Sequence, residues 1–260
     1  MLKRPPVLHV AVDEGTGPVV VLVHGIASSS TTFEKLIPLL TPRHRVIAID
    51  LLGFGESPAP EWAEYTIEEH VAALERTIRR LRLRQPFTLV GHSMGSLIAS
   101  RYTVMRHGAV EHLVLVSPPL YFSPESVRTP IDRAAMSLYL KAYEYLRGNK
   151  QFTMRNAALL ARMSPIKNVL EVSERNWRAF VLSLEKSIES QTTISDIAEV
   201  RVPIDIVYGT LDPFLVPAGL RIVEQMRHVE SHRVDGADHL VRKRLARVVA
   251  TAVDAERPPA

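Results

Sequence analysis

Val19-Val20-Val21-Leu22-Val23 is an unbroken β-branched and aliphatic run with no polar residue to turn toward solvent. A strand apolar on both faces belongs in a parallel sheet whose two faces are covered by helices. Similar runs recur at Arg45–Asp50, Phe87–Val90, His112–Val116 and Ile204–Tyr208, and a further strand is expected over the more polar Glu230–Val234. A first strand over Val7–Val12 precedes the turn residues Gly15-Thr16-Gly17-Pro18. Helical patterns separate the runs. From Thr66 to Arg82, Ile67, Val71, Leu74, Ile78 and Leu81 recur at spacings of three and four. Helices are also expected over Phe33–Leu40, Leu97–His107, Pro217–Arg227 and from about Leu240. Strand–helix alternation of this kind predicts a mostly parallel sheet with helices on both faces.

The alternation stops between Leu120 and Ser195, where no buried strand is legible. Three helical stretches replace it, roughly Ile131–Arg147, Phe152–Arg162 and Ser173–Ser190. The expected organisation is therefore an α/β core from residues 1–119 and 196–260, interrupted by a helical insertion over 120–195.

Composition narrows the function classes. The chain is 46% hydrophobic and 23% charged, as a globular domain is. It has no cysteine, which excludes disulfides, thiolate catalysis and cysteine metal sites. The net charge is +4, but the densest basic groups, Arg79–Arg84 and Arg242–Arg244, fall on amphipathic helical patterns without interleaved aromatics. They are read as solvated helix faces, so no nucleic-acid partner is expected. No apolar run approaches the length of a membrane span, and the N-terminal residues lack the apolar core of a secretory signal. The expected location is cytoplasmic; monomer and homodimer both stay open.

The chemistry gathers around Gly91-His92-Ser93-Met94-Gly95, which lies between a strand pattern and a helix pattern. G-x-S-x-G in that setting is a nucleophile elbow, in which small neighbours let a serine occupy a sharp strand-to-helix turn. Ser93 is thus the candidate nucleophile. A serine hydroxyl needs a base, and the base needs a group to orient it. Asp212 follows the Ile204–Tyr208 strand, and His239 follows the last strand, so both fall where open α/β sheets build sites. Asp205 lies inside its strand and is read as structural; Asp196, ending the helical block, is a poorer acid. Ten histidines make any single one weak, and His239 is selected by position. Oxyanion donors are expected from the backbone amides of Met94, after the nucleophile, and Ile26, in the His24-Gly25-Ile26 loop. His24 itself reads as a loop brace.

Taken together, His24-Gly25, Asp50-x-x-Gly53-x-Gly55-x-Ser57, the elbow, Gly209-x-x-Asp212 and Gly236-x-Asp238-His239 resemble the α/β-hydrolase superfamily, in its capped esterase and C–C hydrolase-like branch. The likeness covers nearly the whole chain outside the helical block. It departs at Ala237-Asp238, where Gly-x-Gly-His is common. The resemblance implies an eight-stranded core with a helical cap over the site, and a structural turn at Asp50–Ser57. It implies a serine hydrolase that cleaves a carboxylic ester through Ser93, Asp212 and His239 and an acyl-enzyme. Lactones, thioesters and ring-cleavage C–C bonds are alternative substrates, and a non-enzymatic ligand receptor is the reading from another class. Tyr121, Phe122, Tyr139, Trp177, Phe180, Phe214 and Leu240 are candidate substrate-binding residues, with Tyr143 among the other cap aromatics. The expected partner is a small-molecule ester. No cofactor and no metal are called for, because His-Glu-x-x-His, a phosphate loop and a dinucleotide fingerprint are all missing.

Overall fold

A computed structural model describes residues 4–121, 129–163 and 171–255. Seven strands form one sheet in the order β1-β3-β2-β4-β5-β6-β7. They are β1 (Val10–Glu14), β2 (Val19–Val23), β3 (Arg45–Ile49), β4 (Phe87–His92), β5 (Val110–Val116), β6 (Ile204–Gly209) and β7 (Val229–Val234). All pairs are parallel except β1 with β3. The eight strands expected are therefore seven among the described residues. A single strand precedes β2, and its antiparallel pairing with β3 forms that edge of the sheet.

The β-branched runs explain the two-sided core. Alternate residues go to opposite faces of a strand. Val21, Val23, Ile47, Ile49, Leu89, Leu113, Leu115, Ile204 and Ile206 join one buried cluster. Their neighbours Val20, Leu22, Val46, Ala48, Val90, Val114, Val116 and Val207 join the other. Helices α2 (Ile67–Leu81) and α3 (Met94–Met105) cover the first face. The short α1 (Ile37–Leu40) and the last helix, α9 (Lys243–Asp254), cover the second. The stretch expected to be helical over Phe33–Leu40 splits into a 3-10 turn at Ser30–Phe33 and α1, where Pro38 sits in the first turn.

Between β5 and β6 lie α4 (Pro130–Gly148), α5 (Lys150–Met163), α6 (Trp177–Ser183) and α7 (Thr193–Glu199). The pattern read over Ser173–Ser190 is a shorter α6 that runs into a π-helical turn, Leu184–Ile188. Helix α8 (Pro217–Val223) joins β6 to β7. Among the described residues, no helix is long and apolar enough to cross a membrane.

Candidate active site

β4 ends at His92 and α3 begins at Met94, so Ser93 is the single residue of the turn between them. Its φ of 53° lies in the left-handed region, which a serine adopts only where the surroundings enforce it. The enforcement is visible at Gly95. A Cβ there would lie 2.3 Å from the Val23 carbonyl oxygen and 2.4 Å from that of His24. Only a glycine lets the first turn of α3 approach the end of β2 this closely.

The other two candidates come from loops after β6 and β7. His239 Nδ1 and Asp212 Oδ2 are 2.8 Å apart. Because the partner is a carboxylate, Nδ1 carries the proton and Nε2 keeps a lone pair. Asp212 is buried, which by itself pushes its carboxyl pKa up. The hydrogen bond and charge of His239, with the Phe214 amide at 2.9 Å, outweigh that and hold it below the usual range. Asp212 is therefore an anion at neutral pH, suited to orienting and stabilising an imidazolium. The Phe214 ring meets the His239 ring edge-on, with centroids 4.8 Å apart.

Across the cleft, the loop after β2 carries Gly25 and Ile26. A Cβ on Gly25 would lie 2.8 Å from Ser93 Cβ, so this backbone lies directly against the serine. His24 is fully buried and braces the loop from both ring nitrogens: Nδ1 donates to the Gly25 carbonyl at 2.7 Å, and Nε2 accepts from the Leu51 amide at 2.8 Å. Burial lowers its pKa and keeps it neutral. Ala27 follows with a φ of 52°, and its carbonyl accepts from the Glu171 amide at 2.7 Å. Among the described residues, no hydrogen bond runs from the Ile26 or Met94 amide. Met94 opens α3, whose N-terminal dipole end favours negative charge.

Ser93, His239 and Ile26 open onto one cavity of about 220 Å³. Its wall is overwhelmingly apolar. Ala27, Pro119, Phe214 and Leu240 contribute to it, and the segment between β5 and β6 adds Tyr143, Leu146, Ala157, Val172, Phe180, Leu184 and Ile188. Of the candidate substrate-binding residues, Phe180, Phe214 and Leu240 lie on the cavity. Tyr121, Tyr139 and Trp177 are outside its lining, and Phe122 lies outside the described residues. Tyr121 and Tyr139 stack at 5.6 Å behind the cavity and donate to the carbonyls of Phe214 (3.3 Å) and Pro213 (2.6 Å). They tie the segment between β5 and β6 to the loop that carries Asp212. Trp177 instead packs on Phe180 with Lys150 over its ring.

Sequence reasoning missed Leu146, Ala157, Leu184 and Ile188. The signal was present: Tyr143/Leu146, Thr153/Ala157 and Phe180/Leu184/Ile188 repeat at three or four, so each set shares one helix face. Nothing in the repeat says that this face meets a cavity and not core. Asp205, read as structural, lies in β6 remote from Ser93 and bonds His112. Asp196 pairs with Arg101 at 3.0 Å.

This architecture, a parallel sheet with a serine elbow at its centre and an acid and histidine on later loops, defines the α/β-hydrolase class. The chain belongs to the alpha/beta hydrolase family, whose pattern it matches over residues 20–251. It is 41% identical over 115 residues to the probable lysophospholipase BODYGUARD 1 of Arabidopsis thaliana, a match covering 42% of this chain and 24% of that protein. The chain thus spans about a quarter of that relative's length. The structure resembles the bromoperoxidase of Bacillus anthracis, with 26% identity, a TM-score of 0.70, and 93% and 92% of the two chains covered. It also shares its fold with the enol-lactonase of Burkholderia xenovorans LB400, with 21% identity, a TM-score of 0.71 and 95% of each chain covered.

Proposed function

We propose that this protein is a serine esterase acting on carboxylic esters with a small to medium apolar acyl or aryl group. The observation that carries this reading is the meeting of Ser93 and the His239–Asp212 pair on one apolar cavity. In this mechanism His239 Nε2 takes the Ser93 proton as Oγ attacks the ester carbonyl. The Ile26 and Met94 amides hold the oxyanion. His239 then protonates the departing alcohol. Water, activated by the same imidazole, attacks the acyl-enzyme and releases the acid. Asp212 remains an anion and balances the imidazolium in both halves.

The helical insertion acts as a cap and supplies most of the acyl-binding wall. Because the exposed surface of the wall is mostly apolar, with Ser28, Thr32, Thr153 and Asn156 among its polar members, the acyl chain is selected chiefly by fit and desolvation. The name of the Arabidopsis relative, a probable lysophospholipase, is consistent with hydrolysis of an acyl ester.

The test is turnover of a graded series of p-nitrophenyl esters, set beside a lactone, a thioester and a ring-cleavage product. Esters of medium acyl length should be cleaved best. The Ser93→Ala variant should lose about 10⁴–10⁶-fold in kcat and its labelling by a fluorophosphonate. Preferred cleavage of the lactone, thioester or C–C substrate would move the assignment to that chemistry. Tight ligand binding without turnover would make the protein a receptor.

A further inference from the structure

Asp205 is completely buried on β6, in a strand whose neighbours are aliphatic. It is the centre of a second polar cluster that the esterase reading does not use. His112 Nε2 donates to Asp205 Oδ2 at 2.6 Å, and His232 Nε2 donates to Oδ1. The parallel register sets Asp205 beside Glu230, and one oxygen of each carboxylate and a ring nitrogen of His232 lie within 4.8 Å of one another. His112, Asp205, Glu230 and His232 come from three adjacent strands, near the strand ends away from Ser93.

From this juxtaposition we propose that Asp205, Glu230 and His232 form a binding site for a divalent transition metal of the Zn²⁺ type. Carboxylate oxygen and imidazole nitrogen are the donors such ions take, at about 2.0–2.2 Å. Closing the three atoms around one ion asks for side-chain shifts on the order of 1 Å. Glu230 is exposed and His232 half-buried, so both can move and an ion can enter from solvent. On binding, the His232 proton passes to Nδ1 and Nε2 offers its lone pair. His112 keeps its hydrogen bond to the other Asp205 oxygen, the outer contact that orients a ligating carboxylate. Two carboxylates side by side repel each other, and a shared dication turns that repulsion into affinity. The ion's role is structural: it clamps the edge strand β7 to β6, below the loops that carry Asp212 and His239.

The experiment is calorimetric titration of ZnCl₂ into untagged, chelator-treated protein, with the melting temperature followed in parallel. One equivalent should bind at micromolar Kd or tighter and raise the melting temperature. His232→Ala and Glu230→Gln should each weaken binding about 10–100-fold. Glu230 is at the surface, so its variant keeps the fold. His239→Ala, remote from this cluster, should bind as the wild type does. Absence of binding, equal binding by wild type and both cluster variants, or binding lost only in His239→Ala would each overturn the proposal; the last would put the ion in the Ser93 cavity.

Discussion

His92 donates its Nε2 proton to the backbone carbonyl of His239 at 2.9 Å, and the two imidazole rings pack with centroids 4.9 Å apart. The residue before the candidate nucleophile thus holds the backbone of the candidate base. A carbonyl can only accept, so His92 is the Nε2–H tautomer, and its buried Nδ1 has no hydrogen-bond partner among the described residues. Burial and the neighbouring His239 push its pKa down to about 3. It remains a neutral plate against His239 at working pH.

His92→Leu removes that bond and leaves the His239 carbonyl unpaired. The expected result is a loss of about 1–3 kcal/mol in stability, with kcat reduced on the order of tenfold or more through a displaced base. His92→Gln, which restores a side-chain N–H, should recover part of kcat. Steady-state kinetics with circular dichroism melting checks this; a His92→Leu enzyme with wild-type kcat would rule out the positioning role.

Asp212→Asn leaves the size of the side chain unchanged but removes its charge. Its amide can also present N–H to His239 and favour the wrong tautomer. A kcat loss of about 10⁴-fold is expected from that tautomer argument. Asp205→Asn, at the far end of β6, should retain the chemistry in whatever fraction folds. Measuring kcat per fluorophosphonate-reactive site separates the two effects.

Acid should destabilise the fold before ordinary carboxylates titrate. His70 and His92 are buried and neutral, each with its pKa pushed down to about 3 chiefly by burial. In the unfolded chain they titrate near about 6.5. Between these values the unfolded state binds more protons, so stability is complete above about 6.5 and falls toward about 3. The slope is up to about 1.4 kcal/mol per pH unit for each histidine. Asp212, with its lowered pKa, adds a further loss below about pH 4, in the same direction. Urea unfolding at several pH values measures the slope. A His70→Asn variant should show one proton less, and a flat profile from about pH 6.5 to about pH 4 would contradict the account.

Ala157 lines the cavity from α5, where a larger side chain would enter space available to an acyl chain. Ala157→Phe should shorten the preferred p-nitrophenyl ester by about three or four carbons, at about 0.8 kcal/mol of burial per methylene lost. Long-chain esters should lose kcat/KM while acetate is cleaved as before. An unchanged chain-length profile would place the acyl group elsewhere.

Much of this molecule was legible before folding. The runs at Val19–Val23, Arg45–Ile49 and His112–Val116 became buried parallel strands because apolarity on both faces leaves a strand no other place. Ser93, Asp212 and His239 could be singled out because each follows a strand, and strand ends are readable from local pattern. Among the described residues the strand count came out one lower, with a single strand before β2. Tyr121 and Tyr139, read as substrate-binding candidates, bond the Phe214 and Pro213 carbonyls respectively. Residue type marked them as amphipathic aromatics without saying which way they face.

Order and periodicity along the chain decided the fold class and the three candidate reacting groups, since both depend on neighbours within a few residues. Which helix faces enclose the cavity was decided by how α4, α5 and α6 dock over the sheet. The His92 contact with His239 spans 147 residues, and the cluster at Asp205 draws on three strands. Such contacts follow from strand order and register, which depend on the packing of the whole sheet and leave no mark in local spacing.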